Sequence, residues 1–295
     1  MSNFQIFTDG AADISSSSAV KNNITIIPFY VSLDGETYLK EVVELSVEEH
    51  YKALISGHIF PKTSLPSVQD YIDAFTPCLE MGNDLICFNL TTSLSSSHQS
   101  ALTAKGILEE KYENAKILIL NSWVATGLQE LMVMEAVKMK NAGLSIETVW
   151  ENCMKLRDKG RIIFMVGALD HLQKGGRIGK VGAAAGGILK IKPLIELKDS
   201  EIHLAGVVRN RRAGLKKLAD IVNNYFTTNK ENPSDYYFTL GETNTPEEIV
   251  IFENELTRVI PNIEFSNNFI IGATISSHTG PGTIGVCFIK KYEKL

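Results

Sequence analysis

The sequence predicts an α/β protein built as two α/β domains, residues 1–160 and 161–295. Three observations carry this. Short β-rich runs alternate with segments of helical spacing, the pattern of a largely parallel sheet covered by helices. The helical segments open on residues suited to capping. A second series of β-rich runs begins near residue 160 with no low-complexity linker before it, so the halves are expected to pack together around a ligand cleft.

In the first half, strands are expected at Phe4–Thr8, Ile24–Val31, Leu85–Leu90 and Lys116–Leu120. Ser46 with Glu49 forms a capping box ahead of Tyr51, Leu54 and Ile55, and Gly57 closes that helix. Ser67 with Asp70 opens the next helix, through Tyr71, Ile72 and Phe75. A helical stretch over Ser145–Lys159 ends this half. The second half offers strands at Arg161–Val166, Glu201–Val208, Tyr236–Leu240, Phe269–Ile275 and Ile284–Ile289. Its helices are expected over Asn210–Phe226 and after Thr245, Pro246 and Glu248, which read as a cap, a first-turn proline and a box acid.

Composition narrows the function classes. Apolar residues make up 44% and charged residues 21%, the balance of a globular chain rather than a disordered one. With 34 acidic against 29 basic residues, a net charge of −5 and no Lys/Arg-rich block, nucleic acid is not an expected partner. The stretch Met1 to Ile6 enters a strand pattern without a basic flank, and no run approaches the roughly 18 apolar residues of a membrane span. A cytoplasmic location without a transmembrane segment follows as an expectation, leaving room for transient contact with a membrane surface. Cys78, Cys87, Cys153 and Cys287 are widely spaced with no C-x-x-C pair, and the histidines lack H-E-x-x-H spacing. Buried thiols, no metal and no cofactor are expected.

Two segments combine clustered hydroxyls with the start of a helix: Pro61 to Ser67, containing Thr63 and Ser64, and Leu90 to Ser97, containing Ser95 and Ser96. Helix N-termini and strand carboxyl ends collect anions, and hydroxyls add neutral donors that can hold a carboxylate beside an apolar tail. The same residues also serve simply as caps and turn formers. A third segment, Leu172 to Lys180, resembles a nucleotide loop but fails its template, because only three residues separate Gly175 from Gly179-Lys180 and Val181 stands where Ser or Thr is required. Gly175 and Gly176 instead suit a special backbone turn that exposes Arg177, whose guanidinium fits a carboxylate, a phosphate or a structural ion pair. A fourth segment, Ser276 to Gly282, places His278 at a strand end before a glycine-proline turn. That histidine could donate to an anion, shuttle a proton or be structural. No G-x-S-x-G elbow frames Ser95 as a hydrolase nucleophile.

Taken in order, these segments resemble the DegV family of bacterial fatty-acid-binding proteins. Thr8-Asp9-Gly10 with Asp13 resembles its T-D-S opening, Thr63-Ser64-Leu65-Pro66-Ser67 its T-S-Q-P-S, and Thr91-Thr92-Ser93-Leu94-Ser95 its S-S-x-L-S-G-T. Lys174 to Ile178, Ile191-Lys192-Pro193, Arg209 and His278 to Gly282 match its C-terminal half, so the likeness runs from about residue 6 to 289. Departures are Leu65 for glutamine, Ser96 for glycine, Gly10 for serine, and Asn121-Ser122 where Asp-Ser is common.

The resemblance implies a largely parallel N-terminal sheet, a mixed C-terminal sheet and a lipid tunnel between them. It implies that Thr63 and Ser95 bind the carboxylate of a long-chain fatty acid of the palmitate or oleate kind, with Ser64, Ser96, Arg177 and His278 near the headgroup or facing a partner. It further implies that the protein presents this carboxylate to an ATP-dependent fatty acid kinase and is not itself an enzyme. The alternatives are a stand-alone acyl- or phosphoryl-transfer enzyme using the hydroxyl clusters and His278, and a lipid sensor or transporter without a kinase.

Overall fold

The computed structural model describes residues 4–56, 59–182 and 191–295. Gly57, expected to close a helix, lies outside the described residues. The first sheet is wholly parallel, with strands β1 (Phe4–Asp9), β2 (Ile24–Ile27), β6 (Asp84–Asn89) and β7 (Ile117–Asn121) in the order β2-β1-β6-β7. The chain leaves β1 toward one side and β6 toward the other, so a crevice opens beyond the carboxyl ends of these two strands.

The expected strand Ile24–Val31 is in fact two. Pro28 cannot donate to a ladder, and beyond it β3 (Tyr30–Ser32) joins β4 (Leu39–Lys40) and β5 (Lys62–Ser64) in a small antiparallel sheet. Helix α1 (Ser16–Lys21) follows β1, and α2 (Val47–Ile55) opens with the anticipated capping box of Ser46 and Glu49. The same device, Ser67 with Asp70, starts α3 (Val68–Glu80). Helices α4 (Ser97–Glu109), α5 (Thr126–Asn141) and α6 (Ile146–Leu156) complete the first half.

The second sheet is mixed, in the order β10-β9-β8-β13-β11-β12. Its strands are β8 (Gly160–Met165), β9 (Lys192–Lys198), β10 (Glu201–Val208), β11 (Tyr236–Glu242), β12 (Phe269–Ile270) and β13 (Ile284–Lys290). Only the β11–β12 pair is parallel. Strand β9 was not anticipated, because Pro193 demotes its run; the proline is accommodated near the strand's start. Helix α7 (Asp170–Lys174) precedes the Gly175-Gly176 turn. Helices α8 (Arg211–Asn229) and α9 (Pro246–Val259) cover one face, with Leu218, Val222, Phe252 and Phe288 fully buried between helices and sheet.

Two further expectations need correction here. Asn210 caps α8 as predicted, but the box expected at α9 does not form: the Thr245 hydroxyl makes no cap bond, and Glu248 pairs with Arg211. The strand expected over Phe269–Ile275 ends at Ile270, and Ala273–Thr279 is helix α10. Its β-branched residues favour a strand locally. The Glu41 carboxylate overrides that preference, accepting from the Thr274 backbone N–H at 3.0 Å and hydroxyl at 2.8 Å.

Candidate functional site

One face of the second sheet turns toward the first half and floors a cavity of about 220 Å³, far beyond the single-water voids of close-packed interiors. Residues in mutual register form two rows on that face. One runs Ile202, Leu197, Ile162, Cys287 across β10, β9, β8 and β13; the other runs Phe164, Gly285, Gly241, Phe269 across β8, β13, β11 and β12. All eight line the cavity. Between them the rows traverse six strands, roughly 24 Å at the usual strand spacing. Phe29, Leu65, Leu90, Leu94 and Ala125 from the first half complete a largely apolar wall.

Polar groups gather at one end. Thr63 lies in the middle of β5, paired with Val31, and its hydroxyl is 2.8 Å from His278 Nε2. His278 sits in the last turn of α10, not at a strand end. Burial, with Arg177 and His171 nearby, pushes its pKa down to about 4, so the ring is neutral near pH 7. Its Nδ1 is buried without a protein partner among the described residues. A side chain at residue 175 would overlap that ring, which accounts for Gly175, while Gly176 takes a φ of +70°.

That turn carries Arg177, which is half-buried rather than exposed as the sequence implied. Its Nε donates to Leu94 O at 3.1 Å and its Nη1 to Gly175 O at 2.7 Å. The guanidinium engages carbonyls, forms no ion pair among the described residues, and ties the Ser95 loop to the second half. Ser95 and Ser64 line the cavity as well, and Ser95 Oγ accepts from Ser97 N at 3.2 Å. Ser96 is exposed, lies outside the lining and makes no side-chain cap bond to α4. Thr63, Arg177 and His278 also border an outer groove with Lys62 and Lys174, so they form the partition between cavity and surface.

The Ser95 loop is fixed from below. Asp9, fully buried at the end of β1, accepts from Leu90 N (2.9 Å), Ser97 Oγ (2.7 Å), Gln129 Nε2 (2.9 Å) and Asn89 Nδ2 (3.4 Å). Burial still raises its pKa against those four donors. On the other side, the turn at Asp199 and Ser200, both with positive φ as a tight hairpin requires, sets Ser200 against Thr91 and Ser93.

Opposite the polar end, Thr126 lines the cavity and donates to Asp13 Oδ2 at 2.5 Å. Glu130, on the same helix, has its pKa raised to about 7 by burial. A group held above its ordinary 4.5 contributes stability that is present below that value and is lost as pH rises to 7. Glu130→Gln is therefore expected to match the parent at pH 4.5 and to exceed it by about 3 kcal/mol above pH 7, as read from urea midpoints at both pH values.

Sequence reasoning brought Thr63, Ser64, Ser95, Arg177 and His278 to one place, and missed Glu41, Phe269 and the floor residues. Glu41 stands in a charged stretch with no local signature. The floor could be found only through the register between strands. The four cysteines are free and buried, as expected. No helix among the described residues is long and apolar enough to cross a membrane.

Fold and site together define an α/β protein that encloses an elongated apolar cavity, closed at one end by hydroxyls, a neutral imidazole and a guanidinium. The family model described as "Uncharacterised protein, DegV family" matches residues 3–291, and the chain belongs to the DegV family. A DegV domain-containing protein of Clostridium perfringens is 30% identical over 291 residues, covering 98% of each chain. Among solved structures, a stearic acid-binding protein of Eubacterium ventriosum superposes with a TM-score of 0.94 at 37% identity, over 99% of this chain and 100% of that one. A DegV family protein of Thermus thermophilus, described by its fatty acid binding, gives 0.85 at 25% identity over 98% and 99% of the two chains.

Proposed function

We propose that this protein binds one long-chain fatty acid in the cavity and presents its carboxylate, at the Thr63–Ser95–Arg177–His278 end, to an ATP-dependent fatty acid kinase. The carrying observation is the cavity's polarity: a long apolar floor ending at a cluster that also borders the outer groove. The likeness to a stearic acid-binding protein supports the ligand class. In this reading Thr63 and Ser95 hold the carboxylate, Arg177 supplies the fixed positive charge, and Ser64 and the exposed Ser96 face the partner. The division near residue 160 then separates two domains, since every strand of the first sheet precedes it and every strand of the second begins at or after Gly160.

The magnitudes agree with this assignment. Burying about 15 methylenes at roughly 0.8 kcal/mol each gains on the order of 12 kcal/mol, against about 1.5–3 for each charge-assisted hydrogen bond at the head. After association costs, micromolar or tighter binding remains. The tail supplies affinity and the head supplies position. Thr63→Ala/Ser95→Ala, which removes two such bonds, is accordingly expected to weaken fatty acid binding by about 3 kcal/mol, roughly a hundredfold, and to lower acyl-phosphate formation with a kinase sharply even at saturating fatty acid; unchanged acyl-phosphate formation would refute the head-site roles.

The 2.8 Å contact between Thr63 and His278 resembles a nucleophile–base pair. A base in such a pair is oriented by a third group, and His278 Nδ1 has no protein partner among the described residues, so binding is favoured over catalysis. Native mass spectrometry followed by organic extraction tests the assignment. A stoichiometric fatty acid supports it. A protein that binds neither palmitate nor oleate, yet turns over an acyl ester alone, overturns it.

A further inference from the structure

We propose that Phe269 is the stop at the tail end of the cavity and sets the upper limit on acyl-chain length, an inference that rests on the fatty-acid reading above. Helix α10 fixes the direction. It lines the cavity with Thr274, Ile275 and His278, and it rises about 9 Å from Ala273 to Thr279. His278 stands at its polar end. Phe269 and Ile271 precede its other end, where Gly272 lies against Asp13. The opposite edge of the sheet agrees, because Ile202 on β10 packs against Gly179, three positions after Gly176 in the loop that carries Arg177.

At the tail end the floor loses its side chains. Gly241 and Gly285 are register partners, and Phe269 partners Gly241 on the far side. A Cβ on Gly241 or on Gly127 of α5 would overlap the Phe269 ring. Neither glycine has a positive φ, so the space taken by the ring, and not a backbone requirement, accounts for both. The ring thus fills the gap between helix α5 and strand β11, where an acyl chain running along the Phe164–Gly285–Gly241 row would otherwise continue. It is half-buried and comes from a two-residue edge strand whose next residue, Ile270, is 56% exposed. Removing the ring therefore extends the cavity toward the edge of the sheet. The lining at this end, Gly241, Phe269, Ile271 and Gly285, is apolar, which matches a methyl terminus.

The test is a displacement assay with saturated fatty acids from myristate to lignocerate, run on the parent protein, Phe269→Ala and Phe269→Leu. The parent should show affinity rising with length and then falling. Phe269→Ala should move the fall to longer chains, gaining about tenfold for a chain two methylenes beyond the parent's optimum, with myristate affinity unchanged. Phe269→Leu opens less space and should shift the fall in the same direction by less, which provides a reading should the alanine variant not fold. An identical length profile in a folded variant and the parent would overturn the stop. A parent protein that binds none of the series would instead overturn the fatty-acid reading.

Discussion

Asp9→Ala is expected to lower stability by about 3–5 kcal/mol and to release the loop that carries Ser95. The Asp9 carboxylate is inaccessible to solvent and is the common acceptor for Leu90 N, Ser97 Oγ, Gln129 Nε2 and Asn89 Nδ2. Truncation leaves Leu90 N buried and unpaired, at a desolvation penalty, and takes one partner from each of Ser97, Asn89 and Gln129, which retain Tyr71 Oη (2.6 and 2.7 Å) and Thr8 Oγ1 (3.0 Å). Leu90 and Ser97 bracket the hydroxyl segment, so the loss falls on the walls of the site. Asp9→Asn keeps the shape and the three contacts on Oδ2, turning only the Gln129 contact into a donor–donor pair. Its cost should be smaller, about 1–3 kcal/mol. Urea denaturation checks the order: the midpoint should fall from parent to Asn to Ala at constant m-value. An alanine variant within about 1 kcal/mol of the parent would refute the account.

The second large effect is expected at Glu41. Its buried carboxylate accepts from Phe29 N at 3.2 Å in the first half, and from Thr274 N and Oγ1 at the start of α10 in the second. Phe29 and Thr274 both line the cavity, and α10 ends in His278. Glu41→Ala should lose about 3–5 kcal/mol, because three donors from two separate segments are left without an acceptor. It should also loosen His278, although Glu41 itself does not line the cavity. Amide hydrogen exchange gives the separating readout: faster exchange at Thr274 through His278, with β1, β6 and β7 protected as in the parent. Uniform loss of protection would mean general destabilisation and no specific hold on the helix.

These two carboxylates also mark how far the sequence could be read. The parallel first sheet, the capping boxes of α2 and α3 and the residues that gather at the polar end of the cavity were legible because each rests on local chemistry: period, caps, or a short ordered motif. Asp9 was visible as part of an opening motif, but its four donors come from positions as far away as Gln129. Glu41 had no local sign at all. Gly10, a departure from the family pattern where serine is usual, gains its explanation only with Glu41 in view, since a side chain at residue 10 would overlap the Glu41 carboxylate. The misread strand over Phe269–Ile275 has the same origin. Its residues favour extended backbone, and a carboxylate more than 200 positions away in sequence starts a helix there.

The strand order of the second sheet bears on how the chain is made. The four strands of the first sheet are all present once residue 121 has been synthesised, and none of the later described residues adds a strand to it. The second sheet has the opposite property. Strand β13, the last of its strands to leave the ribosome, occupies an interior place between β8 and β11. Until it arrives, β8, β9 and β10 cannot join β11 and β12, and two unpaired edges face each other across the missing strand. Domains generally form as units during synthesis, N-terminal ones first, and exposed edges of this kind invite aggregation. Before β13 is present, the first sheet can close and the second cannot, so this one strand both completes the second sheet and contributes Gly285 and Cys287 to the floor of the cavity.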